Sequence, residues 1–273
     1  MAVSMADIQH LRKMSGAGMM DCKKALEEAN GDQDKAMEII RKKGQALAAK
    51  REDREAAEGC VLAGTNGDFA AIVAVKCETD FVAQNADFVG MTKAILDLAL
   101  AQKPANAEEL LALSLDGTSV KEVIVNRSGI TGEKMELGYY EFVNGAATEA
   151  YVHPGNRLAT IVAFNIDADH KVAHDVAMQV AAMNPVSVSR EDVPADLVEK
   201  EFNVAKEKAR EEGKPEAMLD KIAEGRINKF YKESVLLEQE FVKDPKQSIK
   251  QYLQASNKDL TVIALKRVTL NAE

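Results

Sequence analysis

The residues best suited to act on something outside the chain lie in Lys76–Asn85, KCETDFVAQN, where a carboxylate, Asp80, stands beside a phenyl ring, Phe81. The stretch leaves Phe69–Val75 (FAAIVAV), which has the length and β-branched content of a buried strand, and precedes the apolar helical pattern of Phe88–Leu100. A strand-to-helix loop is a natural working position, because a rigid scaffold holds it while its backbone stays at the surface. Other chemistry-bearing residues are sparser. His170 and His174 are four apart on a predicted helix, a spacing that can bind a metal, but no Glu follows the first to make HExxH, so no metal site is assigned. His153, in the turn before the strand Leu158–Phe164, is a further loop-edge candidate. Cys22, Cys60 and Cys77 are odd in number with no CxxC, which supports neither a disulfide framework nor a zinc ribbon and predicts buried thiols. No Walker A pattern, no GxGxxG after a strand and no G-x-S-x-G elbow occurs, so neither a nucleotide cofactor nor a catalytic residue is expected.

Composition narrows the partner. A chain of 273 residues is long enough for one large domain or two or three small ones, each with a core. Its 46% hydrophobic content falls in short blocks, none approaching the roughly 18 apolar residues of a membrane span. The opening MAVSMADIQHLRK has no apolar signal core, which predicts a cytoplasmic protein. The net charge is −9, with lysines and arginines interleaved with acids, a pattern that argues against binding a phosphate backbone. Without Trp, and with 5% aromatics, base-stacking platforms are scarce. The expected partner is a protein, with no direct nucleic acid and no membrane.

The elements that must position the acid–aromatic pair can be traced in order. Residues 1–44 predict three short helices: Ile8 and Leu11 edge the first, Ser15-Gly16-Ala17-Gly18 ends it, Met19, Cys22, Ala25 and Leu26 recur at helical spacing, and Ala36, Ile39 and Ile40 face inward on the third. Of Met19 and Met20, one packing inward and the other facing solvent is compatible with the spacing. Residues 45–58 read as a charged, alanine-rich helical linker. Glu108–Leu115 and Ser119–Asn126 predict helices, and Met135–Val143 a strand. Ser189 is the cap candidate for a long helical stretch with apolar edge Leu197, Phe202, Ala205 and Ala209; after Gly213-Lys214-Pro215 a second helix follows, with Met218, Ile222, Ile227 and Phe230. Together, residues 190–233 predict a protruding helical hairpin, for which self-association, partner contact and bracing are open readings. Leu260–Leu270 predicts a final strand.

An internal repeat organises the main body. Asn66–Val75 aligns with Gly155–Phe164, each a turn followed by a strand, and upstream strands at Gly59–Ala63 and Thr148–Val152 complete a hairpin in each copy. The apolar helices that follow end at Pro104 and Pro185, so the first copy is eight residues longer between strand and helix end. That extra length is expected where Thr79–Val82 sits, either as a working loop or as a passive turn with Phe81 packed inward. The expected fold is α+β: a three-helix module (1–44), a linker (45–58), and a duplicated hairpin-plus-helix antiparallel core with copies at 59–146 and 147–273.

The segment LRKMSGAGMMDCKKALEEANGDQDKAMEIIRKKG resembles the N-terminal module, ubiquitin-associated-like in fold, of the bacterial elongation factor Ts family. The family's TDFV motif is matched by Thr79, Asp80, Phe81 and Val82, and a third co-linear match is Glu224–Asp244. The resemblance implies a guanine-nucleotide exchange factor for elongation factor Tu, GDP-bound and nucleotide-free, that is not an enzyme and needs no cofactor. It implies that Thr79–Val82 displace magnesium on the partner, that Arg12, Met19, Met20 and Lys23 lie against its GTPase domain, with His153 a further contact, and that the hairpin is a coiled coil. Without the resemblance, the alternative is a helical adaptor that binds an unrelated partner through its N-terminal module.

Overall fold

Ser4 and Asp7 exchange hydrogen bonds at the start of α1 (Met5–Ser15), forming a capping box, and Gly16, left-handed at φ 70°, ends the helix in this computed structural model, which describes residues 3–271. Residues 1–2 of the expected module and 272–273 of the expected second copy lie outside the described residues. Two more helices, α2 (Met19–Glu28) and α3 (Gln33–Ala49), complete the module; Asp32 caps α3 by accepting from the Lys35 N–H at 3.1 Å. Ile8, Leu11, Cys22, Ala25, Leu26 and Ala36 form its small core. Helix α3 runs past Gly44, and residues 50–54 are turn where the linker was expected to be helical. The strong helix formers Ala46, Leu47, Ala48 and Ala49 extend the helix.

Then follow β1 (Glu58–Asn66), β2 (Phe69–Cys77), α4 (Asp80–Ala83), α5 (Ala86–Gln102), α6 (Ala107–Ala112), the short β3 (Ser114–Leu115) and β4 (Thr118–Ser119), α7 (Val120–Thr131), β5 (Glu136–Asn144), β6 (Ala147–Val152), β7 (Leu158–Phe164), α8 (His170–Met183), α9 (Ala195–Glu211), α10 (Leu219–Ser234), β8 (Glu240–Phe241), β9 (Asp244–Ser248), α11 (Ile249–Ser256) and β10 (Val262–Thr269). One three-stranded sheet has the order β1-β2-β5 and another β10-β7-β6. In the second, β7 is central and antiparallel to both neighbours, pairing Ala150 with Ile161 and Lys266 with Ile161 on its two sides. The fold is thus α+β with small antiparallel sheets and an N-terminal helical module. By backbone packing the described residues divide into two units, 3–62 with 73–140 and 270–271, and 63–72 with 141–269.

Within the first unit, α3 crosses α7 at a pair of glycines. A Cβ on Gly129 would lie 2.3 Å from the Gly44 Cα, so the two backbones meet where position 129 has no room for a side chain, while a Cβ on Gly44 would stand 3.4 Å from the Gly129 Cα. Gly44, at the expected edge of the module, is therefore inside a helix and at its closest packing point.

In the second unit, α8 lies against β6 and β7, and Val162, Phe164, Val176, Val180, Phe241 and Leu253 share one core. The seam between α9 and α10 is Ala205 and Ala209 against Leu219, Ala223 and Ile227; Met218, expected on the seam, precedes α10 and is 50% exposed. Ser189 caps a single 3-10 turn, 190–192, and not the long helix, which begins after Pro194, a residue that cannot donate to the preceding turn. The hairpin β8–β9 and helix α11 had no sequence expectation.

The two strands aligned in the sequence share their burial and the way the helices after them end. Every residue of β7 and every residue of β2 but Lys76 is buried. Helices α5 and α8 each end on a left-handed residue, Lys103 at φ 50° and Asn184 at φ 43°, followed directly by proline. The eight extra residues of the first copy do not all fall in the connection. Strand β2 runs two residues further than β7, the connection has three more residues (78–85 against 165–169), and α5 has three more than α8.

Candidate functional site

The stretch expected as a loop is a one-turn helix, α4, because it has its own cap. Thr79 is the N-cap, its hydroxyl accepting from the Val82 N–H at 3.4 Å while its carbonyl accepts from the Ala83 N–H at 3.1 Å. Asn85 then caps α5 by accepting from the Asp87 and Phe88 N–H groups at 2.9 and 3.4 Å. Between these caps Ala83 is buried and anchors the turn, Val82 is half-buried, and Asp80 and Phe81 face outward. Phe81 is 85% exposed, which removes the reading of a passive turn with its ring packed inward. A phenyl ring so exposed, on a turn with satisfied hydrogen bonds, gains free energy only on something else, about 1.5–3 kcal/mol for full burial.

The support beneath the turn comes from a residue the sequence reading missed. The Glu133 carboxylate accepts from the Glu78 N–H and Thr79 N–H, both at 3.1 Å, and from the Thr79 hydroxyl at 2.6 Å. In return Glu78 accepts from the Lys134 N–H at 2.6 Å and from Arg54 at 3.1 Å. The Lys134 N–H, together with Arg54, holds the Glu78 carboxyl below the usual carboxylate range. Nothing local in the sequence marks Glu133, which lies 54 residues from Thr79.

Beneath the turn, Cys77 donates to the Thr79 carbonyl at 3.3 Å. Burial, aided by the nearby Glu133 charge, pushes the Cys77 thiol up to about 12, and burial pushes Cys60 up to about 11. Both are protonated near neutrality, as expected of buried thiols, so neither is the activated thiolate that a cysteine-dependent reaction needs. Beyond the turn, Asp87 pairs with Arg127 at 3.0 Å.

In the N-terminal module, Arg12 and Lys23 are exposed, and Lys23 pairs with Glu27 at 3.8 Å. Met19 is 38% and Met20 63% exposed, so neither belongs to the module's core; Cys22, Ala25 and Leu26 fill it instead. In the second unit, His153 is exposed in the β6–β7 turn, its N–H donating to the Leu158 carbonyl at 2.8 Å and its Nδ1 lying 3.0 Å from the Tyr151 hydroxyl. His170 and His174 stack with ring centres 6.0 Å apart and both face Glu149, at 3.7 and 3.6 Å. Among the described residues no group of three or more His, Cys, Asp or Glu side chains is arranged to hold a metal ion, and no helix is long and apolar enough to cross a membrane.

Residues 78–272 match the family model described as elongation factor TS. The chain is 61% identical over 274 aligned positions to elongation factor Ts of Porphyromonas gingivalis, and 58% identical over 274 to that of Azobacteroides pseudotrichonymphae, in each case covering all of both chains. It is 47% identical to elongation factor Ts of Bacteroides thetaiotaomicron over 330 aligned positions, again covering all of both. A family model over most of the chain and full-length relatives at this identity establish that the chain belongs to the elongation factor Ts family.

Proposed function

We propose that the chain is the guanine-nucleotide exchange factor of elongation factor Tu, that it engages the GDP-bound and nucleotide-free partner in the cytoplasm, and that it acts through contact and charge with no covalent step. The observation that carries this reading is the exposed Phe81 ring on a capped turn beside Asp80. GDP is held on a GTPase by backbone donors and a lysine around its phosphates and by a magnesium ion that neutralises their charge. In this reading Phe81 enters an apolar pocket on the partner and shifts the elements behind it, loosening the phosphate loop. Asp80 brings a negative charge that disturbs the magnesium-side network. Thr79 and Val82 shape the turn. Arg12, Met19, Met20 and Lys23 form a second contact with the GTPase domain, and His153 a third.

Linkage sets the direction of such an exchange. Whatever factor this chain weakens GDP binding by, GDP weakens binding of this chain by the same factor. GTP then displaces the chain, so it accelerates equilibration without choosing its direction. The test is release of labelled GDP from elongation factor Tu with substoichiometric amounts of this protein. Release many times faster than the spontaneous rate is expected; an unchanged rate would overturn the reading.

A further inference from the structure

A helix of one turn has no intrinsic stability. Nucleation fixes several residues for one hydrogen bond, so α4 has to be held by what surrounds it. Its own cap is weak, the Thr79 hydroxyl accepting from the Val82 N–H at 3.4 Å. The strong anchors lie just upstream, where three donors from Glu78 and Thr79 converge on the single carboxylate of Glu133 at 2.6–3.1 Å. Hydrogen bonds to an ionised acceptor are about twice as strong as neutral ones, and here two of the donors are main-chain groups that set the direction in which α4 leaves β2.

Glu133 is itself fixed. It follows Gly132, left-handed at φ 77°, which ends α7; its carbonyl accepts from the Ser128 hydroxyl, and its N–H donates to the Thr131 hydroxyl at 3.3 Å. The Glu78 carboxylate closes the arrangement from the other side by accepting from the Lys134 N–H at 2.6 Å. Two adjacent pairs, 78–79 and 133–134, thus exchange carboxylate and backbone hydrogen bonds. The three hydrogen bonds that the Glu133 carboxylate accepts all come from Glu78 and Thr79, the two residues directly before Asp80 and Phe81.

We propose that Glu133 is a positioning residue for exchange: its carboxylate holds the start of α4 so that Asp80 and Phe81 are presented in one orientation before the partner arrives. This rests on the exchange reading above. Pre-ordering removes the cost of immobilising two side chains and their backbone at the moment of binding, so its loss appears chiefly as a higher concentration of factor needed for half-maximal exchange, by about tenfold.

The experiment measures release of a fluorescent GDP analogue from elongation factor Tu by the full chain and by Glu133→Ala, Glu133→Gln, Phe81→Ala and the Glu133→Ala/Phe81→Ala double variant, with hydrogen exchange of the Glu78 and Thr79 amides read alongside. Glu133→Ala is expected to raise the half-saturating concentration about tenfold and to speed exchange of both amides. Glu133→Gln, which keeps an oxygen for the two N–H donors, is expected to stay within about threefold. In the Phe81→Ala background the Glu133→Ala change is expected to cost less than about twofold, because residues acting through one contact are not additive. If Glu133→Ala does not fold, Thr79→Val removes one of the three donors and is expected to show the same dependence on Phe81. Wild-type half-saturation for Glu133→Ala, or an equal loss with and without Phe81, would overturn the proposal. A wild-type rate for Phe81→Ala would overturn the exchange reading itself, and faster amide exchange in Glu133→Ala would then identify that reading, and not the ordering of the turn, as the failure.

Discussion

Two connections on one repeated scaffold have opposite fates. In the first copy the chain leaves β2, forms α4 and turns Phe81 outward, with Glu133 bracing the turn. In the second copy residues 165–169 close on their own surroundings. Asn165 donates to the Asp259 carbonyl and accepts from the Thr261 N–H, both at 2.8 Å, while Ile166 and Ala168 lie against the core. The flanking strands and helices differ in length by two and three residues but are buried and terminated alike, so the contrast in exposure lies in what each connection does with its apolar residue. One copy spends it on stability and the other exposes it.

The comparison is sharpest in two truncations of the same kind. Phe81→Ala should reduce stimulated GDP release on the order of 100-fold, the range of a central aromatic anchor, while leaving the melting temperature unchanged. Unchanged release would erase the functional difference between the connections. The next effect concerns how the first unit holds the N-terminal module. Gly129→Ala forces a methyl group to 2.3 Å from the Gly44 Cα and should cost about 3 kcal/mol in urea unfolding, whereas Gly90→Ala, with open space around it, should cost nothing measurable.

The second copy carries an acid-sensitive anchor. Asp175 on α8 is buried, and burial alone would raise its pKa; hydrogen bonds from Lys243 at 2.6 Å, Tyr252 at 2.7 Å and Lys171 at 3.1 Å outweigh burial and bring it to about 2. A folded pKa below the unfolded value gives stability that is present above the unfolded value near 3.8 and is lost as pH falls toward 2. The contribution is about 2 kcal/mol. Urea unfolding at pH 6 and pH 3 should therefore show a loss about 1 kcal/mol larger in the wild type than in Asp175→Asn. An equal loss in both would remove this anchor. The smallest expected effect is the counterpart of the first: Ile166→Ala should lower stability by about 1 kcal/mol and leave exchange per folded molecule unchanged.

Much of this architecture was legible in order along the chain. Alternation and length marked β2 and β7, the glycines and capping residues marked the module's helices, and the αL residue before proline ended α5 and α8 where the repeat alignment expected. The missed strands β3, β4, β8 and β9 are too short or too polar to carry a period: DPKQS reads as turn, and becomes a strand only by pairing with Glu240 and Phe241; α11, with Ser248 as cap and Ile249, Tyr252 and Leu253 at helical spacing, was legible and overlooked. The buried amide of Gln179, bonded to Gln239 and to the Glu240 carbonyl, ties α8 to that same region through partners about 60 residues away.

By itself, then, the sequence determined the strand-to-helix scaffold and the acid–aromatic pair at one connection, because periodicity, caps and turn residues act within a few positions of one another. Only the tertiary structure decided that Phe81 faces out, that the longer first copy is divided among strand, connection and helix, that Gly44 is a crossing point and that Glu133 braces the turn. Each of these depends on groups brought together from distant parts of the chain. Burial and hydrogen bonding are properties of that neighbourhood, and no local pattern records it.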